Sequence, residues 1–246
     1  MNGARSLPVV MAAIVITTAT ACTSNNQTTT TDSHTFNLSG DVLRIQAEET
    51  SLRLVETSGS KVVVKRRLTG GSEDADTDSS LTMRGNTLTV RAECSGVVKD
   101  CDTSSVIQVP RKVRVELEGS GTPVTVDRLS GDLDLKVTND GSLEVRRPRG
   151  RLQLACGGGN IVVTGARSRV VNARTTADGN ISLGFAGAPQ RVDAESSGSV
   201  KVTVPAGPET YRLLSTSTSG NVRSDEDSDR SIKAVARDGA ARVQQG

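Results

Sequence analysis

From residue 141 onward the chain keeps returning to one short pattern, a glycine followed by alternating apolar and polar residues. It recurs at Gly141 (GSLEV), Gly159 (GNIVV), Gly179 (GNISL), Gly198 (GSVKV), Gly220 (GNVRS) and Gly239 (GAARV), at spacings of 18, 20, 19, 22 and 19 residues. Two residues after each glycine stands an apolar side chain: Leu143, Ile161, Ile181, Val200, Val222 and Ala241. The next position on the same face is Val145, Val163, Leu183, Val202 and Val243, with Ser224 the exception in the Gly220 unit. A second strand falls in each unit, seen as Leu133/Leu135, Leu152/Leu154, Val171/Ala173, Val192/Ala194, Leu213 and Ile232. A period of two marks a half-buried strand, so each unit reads as strand, turn, strand, turn. Such a unit cannot hide its apolar face alone, and neighbours must stack so that equivalent side chains form ladders. The expectation for 121–246 is a repetitive, β-solenoid-like module with coils of about 20 residues, glycine supplying positive φ at the corners. An antiparallel meander of stacked hairpins is the alternative, because the period leaves strand direction open.

Alternation without helical periodicity also fills the region before the repeat. Strands are expected at 36–38, 42–46, 52–56, 61–68, 81–84, 87–91, 105–109 and 112–118, separated by turn formers such as Ser58-Gly59 and Gly85-Asn86. The chain is therefore read as all-β, an N-terminal β module over 36–120 continuous with the repetitive part. Its aromatic residues are two Phe, one Tyr and no Trp. The core must then be thin and built from Val, Leu, Ile and Ala, which disfavours a wide sandwich centred on large rings.

The first residues carry an address. Arg5 precedes an uncharged apolar run at 7–16 (LPVVMAAIVI), too short to span a bilayer comfortably. The run leads into Thr18-Ala19-Thr20-Ala21-Cys22, small residues before a cysteine in the manner of a lipobox, with Ala19 where Leu is usual. Residues 1–21 are read as a lipoprotein signal peptide and Cys22 as the lipidation site, with ordinary secretory cleavage near Ala21 as the alternative. The Thr-, Ser- and Asn-rich segment 22–35 reads as a flexible tether. A diacylated Cys22 would hold the module to the cell membrane on its extracytoplasmic side.

Export agrees with the cysteines. Cys94 and Cys101 flank a short polar loop and are expected to form a disulfide. Cys156 reads as a small half-buried corner residue, with a reactive thiol as the competing view. A net charge of +2 sets up no global field that would select a nucleic acid. His34 is the one histidine and lies in the tether, which leaves no Ser-His-Asp or Cys-His machinery. Gly157-Gly158-Gly159-Asn160 lacks the Lys-Ser/Thr of a phosphate loop. Asp74, Asp76 and Asp78 read as a solvated acidic loop, since Ser79 and Gly85 stand where a calcium loop needs Gly and Glu, and Asp225, Glu226, Asp227 and Asp229 read likewise. No metal and no cofactor is expected. Arg146, Arg147, Arg149 and Arg151 form a basic corner, extended on adjacent coils by Arg167, Arg169 and Arg174. This is the candidate anion-binding patch, for wall polymers or lipid headgroups, against the plainer view of solubilising charge.

The segments GSKVVVKRRLTG, GNTLTVRAECSG, CDTSSVIQVPRKVRVELEGSG and the glycine-opened repeats resemble the bacterial β-strand-repeat family called putative adhesin or Toastrack, over roughly 36–246. The resemblance implies an envelope protein with a repetitive β fold, in some members beside envelope-stress signalling components, and it brings no catalytic residues. The expected function is a non-catalytic, membrane-anchored envelope binding, scaffold or adhesin-like module whose partner is an envelope protein, a wall polymer or a lipid headgroup. The alternative is a hydrolase of envelope carbohydrate using Asp132 and Asp134, which alternate on one strand face without an aromatic platform for a sugar.

Overall fold

A computed structural model describes residues 28–70, 76–95, 102–214 and 218–246. The signal segment 1–21, Cys22, Cys101 and the Cys94 side chain lie outside the described residues, and with them the lipidation site and the Cys94–Cys101 bridge. Every regular element among the described residues is a strand. The first seven are β1 (Thr28–Asn37), β2 (Val42–Glu48), β3 (Ser51–Thr57), β4 (Lys61–Gly70), β5 (Asp76–Arg84), β6 (Thr87–Ser95) and β7 (Asp102–Pro110). There follow β8 (Arg114–Ser120), β9 (Val124–Asp127), β10 (Leu133–Thr138), β11 (Leu143–Arg146), β12 (Leu152–Cys156), β13 (Ile161–Ala166) and β14 (Val170–Thr175). The last are β15 (Ile181–Phe185), β16 (Arg191–Ser196), β17 (Val200–Val204), β18 (Arg212–Leu213), β19 (Thr218–Gly220), β20 (Ser231–Ala236) and β21 (Ala241–Gln245).

From β8 to β17 successive strands fall in opposite sheets. β9, β11, β13, β15 and β17 lie side by side in one sheet and β8, β10, β12, β14 and β16 in the other, each parallel to its neighbours. One circuit takes one strand from each sheet, which is a solenoid coil. Among the described residues antiparallel pairing is limited to β1–β4, β4–β7 and β5–β6, so the meander alternative does not hold for the repeat. In the first sheet Leu143, Ile161, Ile181, Val200 and Ala241 stand in register, and in the second Leu133, Leu152, Val171, Val192 and Ile232 do. These inward residues are at most 8% exposed, and each large aliphatic one buried this way stabilises the fold by about 1.5–3 kcal/mol.

The sheets run without a break through residue 120. β8 pairs with β2 on one side and β10 on the other, and β9 pairs likewise with β3 and β11. The long β1 and β5 close one end: β4 and β5 run antiparallel to the stack, and β1, which occupies 28–37, runs antiparallel to β4. From Thr28 onward the segment expected as tether is thus a strand: its threonines suit a pleated edge, and it has β4 to pair with.

At both ends coil order in space departs from chain order. β2–β3 lies between β6–β7 and β8–β9, and β20–β21 lies between β16–β17 and β18–β19. The Gly220 unit therefore does not continue the ladder: Gly220 ends β19, and Ser224 makes an isolated bridge with Tyr211. This is the physical meaning of the exceptional Ser224.

The repeat glycines also serve a different purpose from the one expected. Positive φ among glycines occurs at Gly40, Gly85, Gly121 and Gly165, none of which opens a repeat. The repeat glycines are instead where successive coils touch. A methyl on Gly159 would stand 2.1 Å from the Gly141 carbonyl oxygen, one on Gly179 2.1 Å from that of Gly159, and one on Gly198 2.7 Å from that of Gly179. Close backbone approach, rather than a left-handed turn, excludes a side chain there.

Candidate functional site: an arginine-lined edge

The corners that follow the strands of the first sheet form one long edge of the solenoid. After β9 comes Arg128-Leu129-Ser130-Gly131-Asp132, after β11 Arg147-Pro148-Arg149-Gly150-Arg151, and after β13 Arg167-Ser168-Arg169. The middle residues Leu129, Pro148 and Ser168 turn inward and are buried, while the arginines beside them are exposed. The same alternation that builds the core thus throws the basic side chains outward. Backbone bonds hold successive corners in place: Arg149 N donates to Leu129 O at 3.2 Å and Arg167 N to Pro148 O at 2.9 Å.

An open groove of about 470 Å³ runs along this edge, lined by Glu56, Arg128, Arg147, Arg149, Gly165, Arg167 and Ala186. Two carboxylates at this edge are engaged, Glu56 in the groove lining and Asp127 beside it. Asp127, whose side chain is 8% exposed, bridges Arg128 at 3.2 Å and Arg147 at 3.1 Å. Glu56 accepts from Ser130 N at 2.9 Å and pairs with Arg111 at 3.4 Å. Arg149 and Arg167 have no carboxylate within ion-pair distance among the described residues.

Arg128 and Arg147 occupy left-handed backbone, with φ of 60° and 52°, and the equivalent residue one coil further is Gly165 at 62°. Glycine meets that demand without strain, whereas a residue with a Cβ carries roughly 1–2 kcal/mol. Among the described residues the corners of the opposite edge carry Glu49, Asp140, Asp178 and Asp238, with Arg237, while the arginine edge itself turns acidic beyond the groove, at Asp225, Glu226, Asp227 and Asp229 between β19 and β20. Positive charge is therefore concentrated locally, at the corners after β9, β11 and β13. A second groove of about 400 Å³ holds Glu48 and Glu118 with Arg91 and Lys136, charges that offset one another.

The structure thus sorts the patch expected from sequence. Arg147 and Arg149 enter the groove and Arg167 joins them. Arg146 lies on the outer face of β11 and pairs with Glu144 at 2.7 Å. Arg151 is exposed at the corner, Arg169 donates to Gln190 at 3.1 Å, and Arg174, on the second sheet, pairs with Glu195 at 2.8 Å. Arg128 and the two carboxylates had been missed; their signal was the coil period itself, since Arg128 stands 19 residues before Arg147.

Asp132 and Asp134 make no shared cleft. Asp132 accepts from Arg151 N at 2.8 Å, capping the next coil, while Asp134 faces Arg114 at 3.9 Å. Cys156 is buried and its thiol donates to Gly141 O at 3.0 Å. Desolvation pushes its pKa up, so it is a structural member of the ladder and not a reactive thiol. Asp76 and Asp78, expected in an acidic loop, belong to β5, and Asp74 lies outside the described residues.

No family model matches the chain and no curated protein does. Among solved structures it is similar to a putative adhesin from Bacteroides fragilis, at 15% identity and TM-score 0.45 over 88% of this chain and 97% of that one. It is similar to a putative adhesin from Parabacteroides distasonis at 12% identity and TM-score 0.46, over 90% and 98%. A putative cell adhesion protein from Clostridium sporogenes shows 12% identity and TM-score 0.32, over 89% and 100%.

Proposed function

We propose that the chain is an exported lipoprotein, held by Cys22 to the extracytoplasmic side of the cell membrane, whose solenoid serves as a non-catalytic, adhesin-like binding module. The observation that carries the binding role is the arginine-lined groove, in which two exposed guanidinium groups lack a carboxylate partner among the described residues. The hydrogen bond of Asp132 to Arg151 N and the pairing of Asp134 with Arg114 favour this over glycoside cleavage, which needs two carboxyl groups facing one bond. Anchoring is supported by the apolar run at 7–16 and the small residues before Cys22. Labelled palmitate should enter the wild type and be lost in Cys22→Ala, which should also leave the membrane fraction; equal labelling of both would overturn the anchor. A link to envelope stress, implied for part of the family it resembles, would show as a signalling protein among partners crosslinked in intact cells.

A further inference from the structure

The groove has a direction relative to the proposed anchor. Thr28 pairs with Gly70, and Thr69 with Asp102 at the start of β7. β7 runs parallel to β3, so its start lies on the edge opposite the groove; Asn37 and its partner Lys61 lie towards the arginine edge. The ten residues of β1 span about 33 Å. The six residues 22–27 reach at most about 21 Å. A lipid at Cys22 thus tethers the module from that opposite edge, and the arginine groove is on the far side.

The groove also has a repeat. Arg149 and Arg167 stand on successive coils, whose backbones are about 4.8 Å apart. One planar carboxylate is matched by one guanidinium fork. A tetrahedral phosphodiester offers two diverging free oxygens, which suits two forks on adjacent coils. Basic corners follow one another after β9, β11 and β13, from Arg128 through Arg147 and Arg149 to Arg167 and Arg169, so an extended chain lying along these coils meets more charge than a compact ion does.

We propose that this edge binds a linear polymer of phosphodiester-linked units, with Arg149 and Arg167 on successive coils closing on one phosphodiester. Arg128 and Arg147, neutralised in part by Asp127, position the groove. The orientation rests on the anchor reading of the preceding subsection; the binding chemistry does not. Failure of palmitate labelling would remove the first and leave the second standing.

The test uses the full chain carrying Cys22→Ser and synthetic poly(glycerol phosphate), titrated over a series of salt concentrations. The wild type should bind, with affinity falling as salt rises. Arg149→Gln with Arg167→Gln should weaken binding about 100-fold, at about tenfold per charge-assisted contact. It should also lower the slope of log affinity against log salt by about 1–2, with an unchanged thermal melt. Arg212→Gln with Arg242→Gln removes the same charge elsewhere and should stay within about twofold. No binding by the wild type, or an equal loss in the control pair, would overturn the site. Equal affinity for polyglutamate would overturn the phosphodiester preference, and tighter binding to phosphatidylglycerol vesicles than to the polymer would assign the edge to a membrane surface instead.

Discussion

Replacing Gly159 with alanine isolates the force that shapes the corners. The new methyl would stand 2.1 Å from the Gly141 carbonyl oxygen and 3.0 Å from its carbon, so the corner must move by roughly 1 Å in a close-packed stack. It has little room to do so. Leu143 N donates to Asn160 O at 3.0 Å, Asn180 N donates to Asn160 Oδ1 at 2.8 Å, and Gly157 N donates to Val137 O at 2.8 Å. Overpacking of this kind costs about 1–3 kcal/mol. In a domain of this size each kcal/mol lowers Tm by about 2–4 °C, so a fall of roughly 2–12 °C is expected in a circular dichroism melt. Two other glycines separate the possible causes. Gly85 has φ +57° with nothing within 4 Å of a methyl, so Gly85→Ala carries only left-handed strain, about 1–2 kcal/mol. Gly59 has no positive φ and its methyl would lie 3.6 Å from Thr57 Oγ1, so Gly59→Ala should be neutral or stabilise by about 0.4–1 kcal/mol through the unfolded chain. If Gly159→Ala melts with the wild type while Gly85→Ala does not, close approach between coils is the wrong account.

Ile181 is 1% exposed and sits in register between Ile161 and Val200; Ile181→Asp should cost at least about 4 kcal/mol by burying an unpaired carboxylate, and an unchanged melting temperature would refute the inward ladder. Arg66 donates to Asp32 from Nε at 3.3 Å and from Nη2 at 2.5 Å, and that bonding holds the Asp32 carboxyl below its ordinary value of 3.8. As pH falls the unfolded chain takes up this proton first, so the stabilisation is complete above the ordinary carboxylate range and is lost as pH drops through the lowered folded value. Asp32→Asn should therefore be less stable than the wild type near neutrality, by about 1 kcal/mol for a partly exposed pair, and urea midpoints should converge in acid; a difference independent of pH would sink this assignment.

The ladder was legible because burial writes itself into a strand with period two: Ile161, Ile181 and Val200 had to share a face. Strand direction was not, since Leu143 and Ile161 pair equally well by hydrophobicity in either sense, and parallel pairing follows from alternation between sheets. The glycines were found for the wrong reason. A sequence marks where a Cβ is excluded, but only the neighbouring coil shows that the Gly141 carbonyl excludes it. The arginine edge was half legible. Consecutive Arg146 and Arg147 look equivalent in the chain, yet one lies on the strand face against Glu144 and the other at the corner beside Asp127. The local clustering of arginines could not be read from a net charge of +2, because it arises from which corners share an edge.

The displaced coil β20–β21 has a mechanical meaning. In a simple stack the outermost coil peels away after one ladder in each sheet is broken. Here β20 is bonded to both β16 and β18, and β21 to both β17 and β19, so pulling on the strand after β20 must draw a slice out of the interior and rupture twice as many ladders. A chain folded this way resists unravelling under tension from that end, and a protease gains little by nicking the outermost layer.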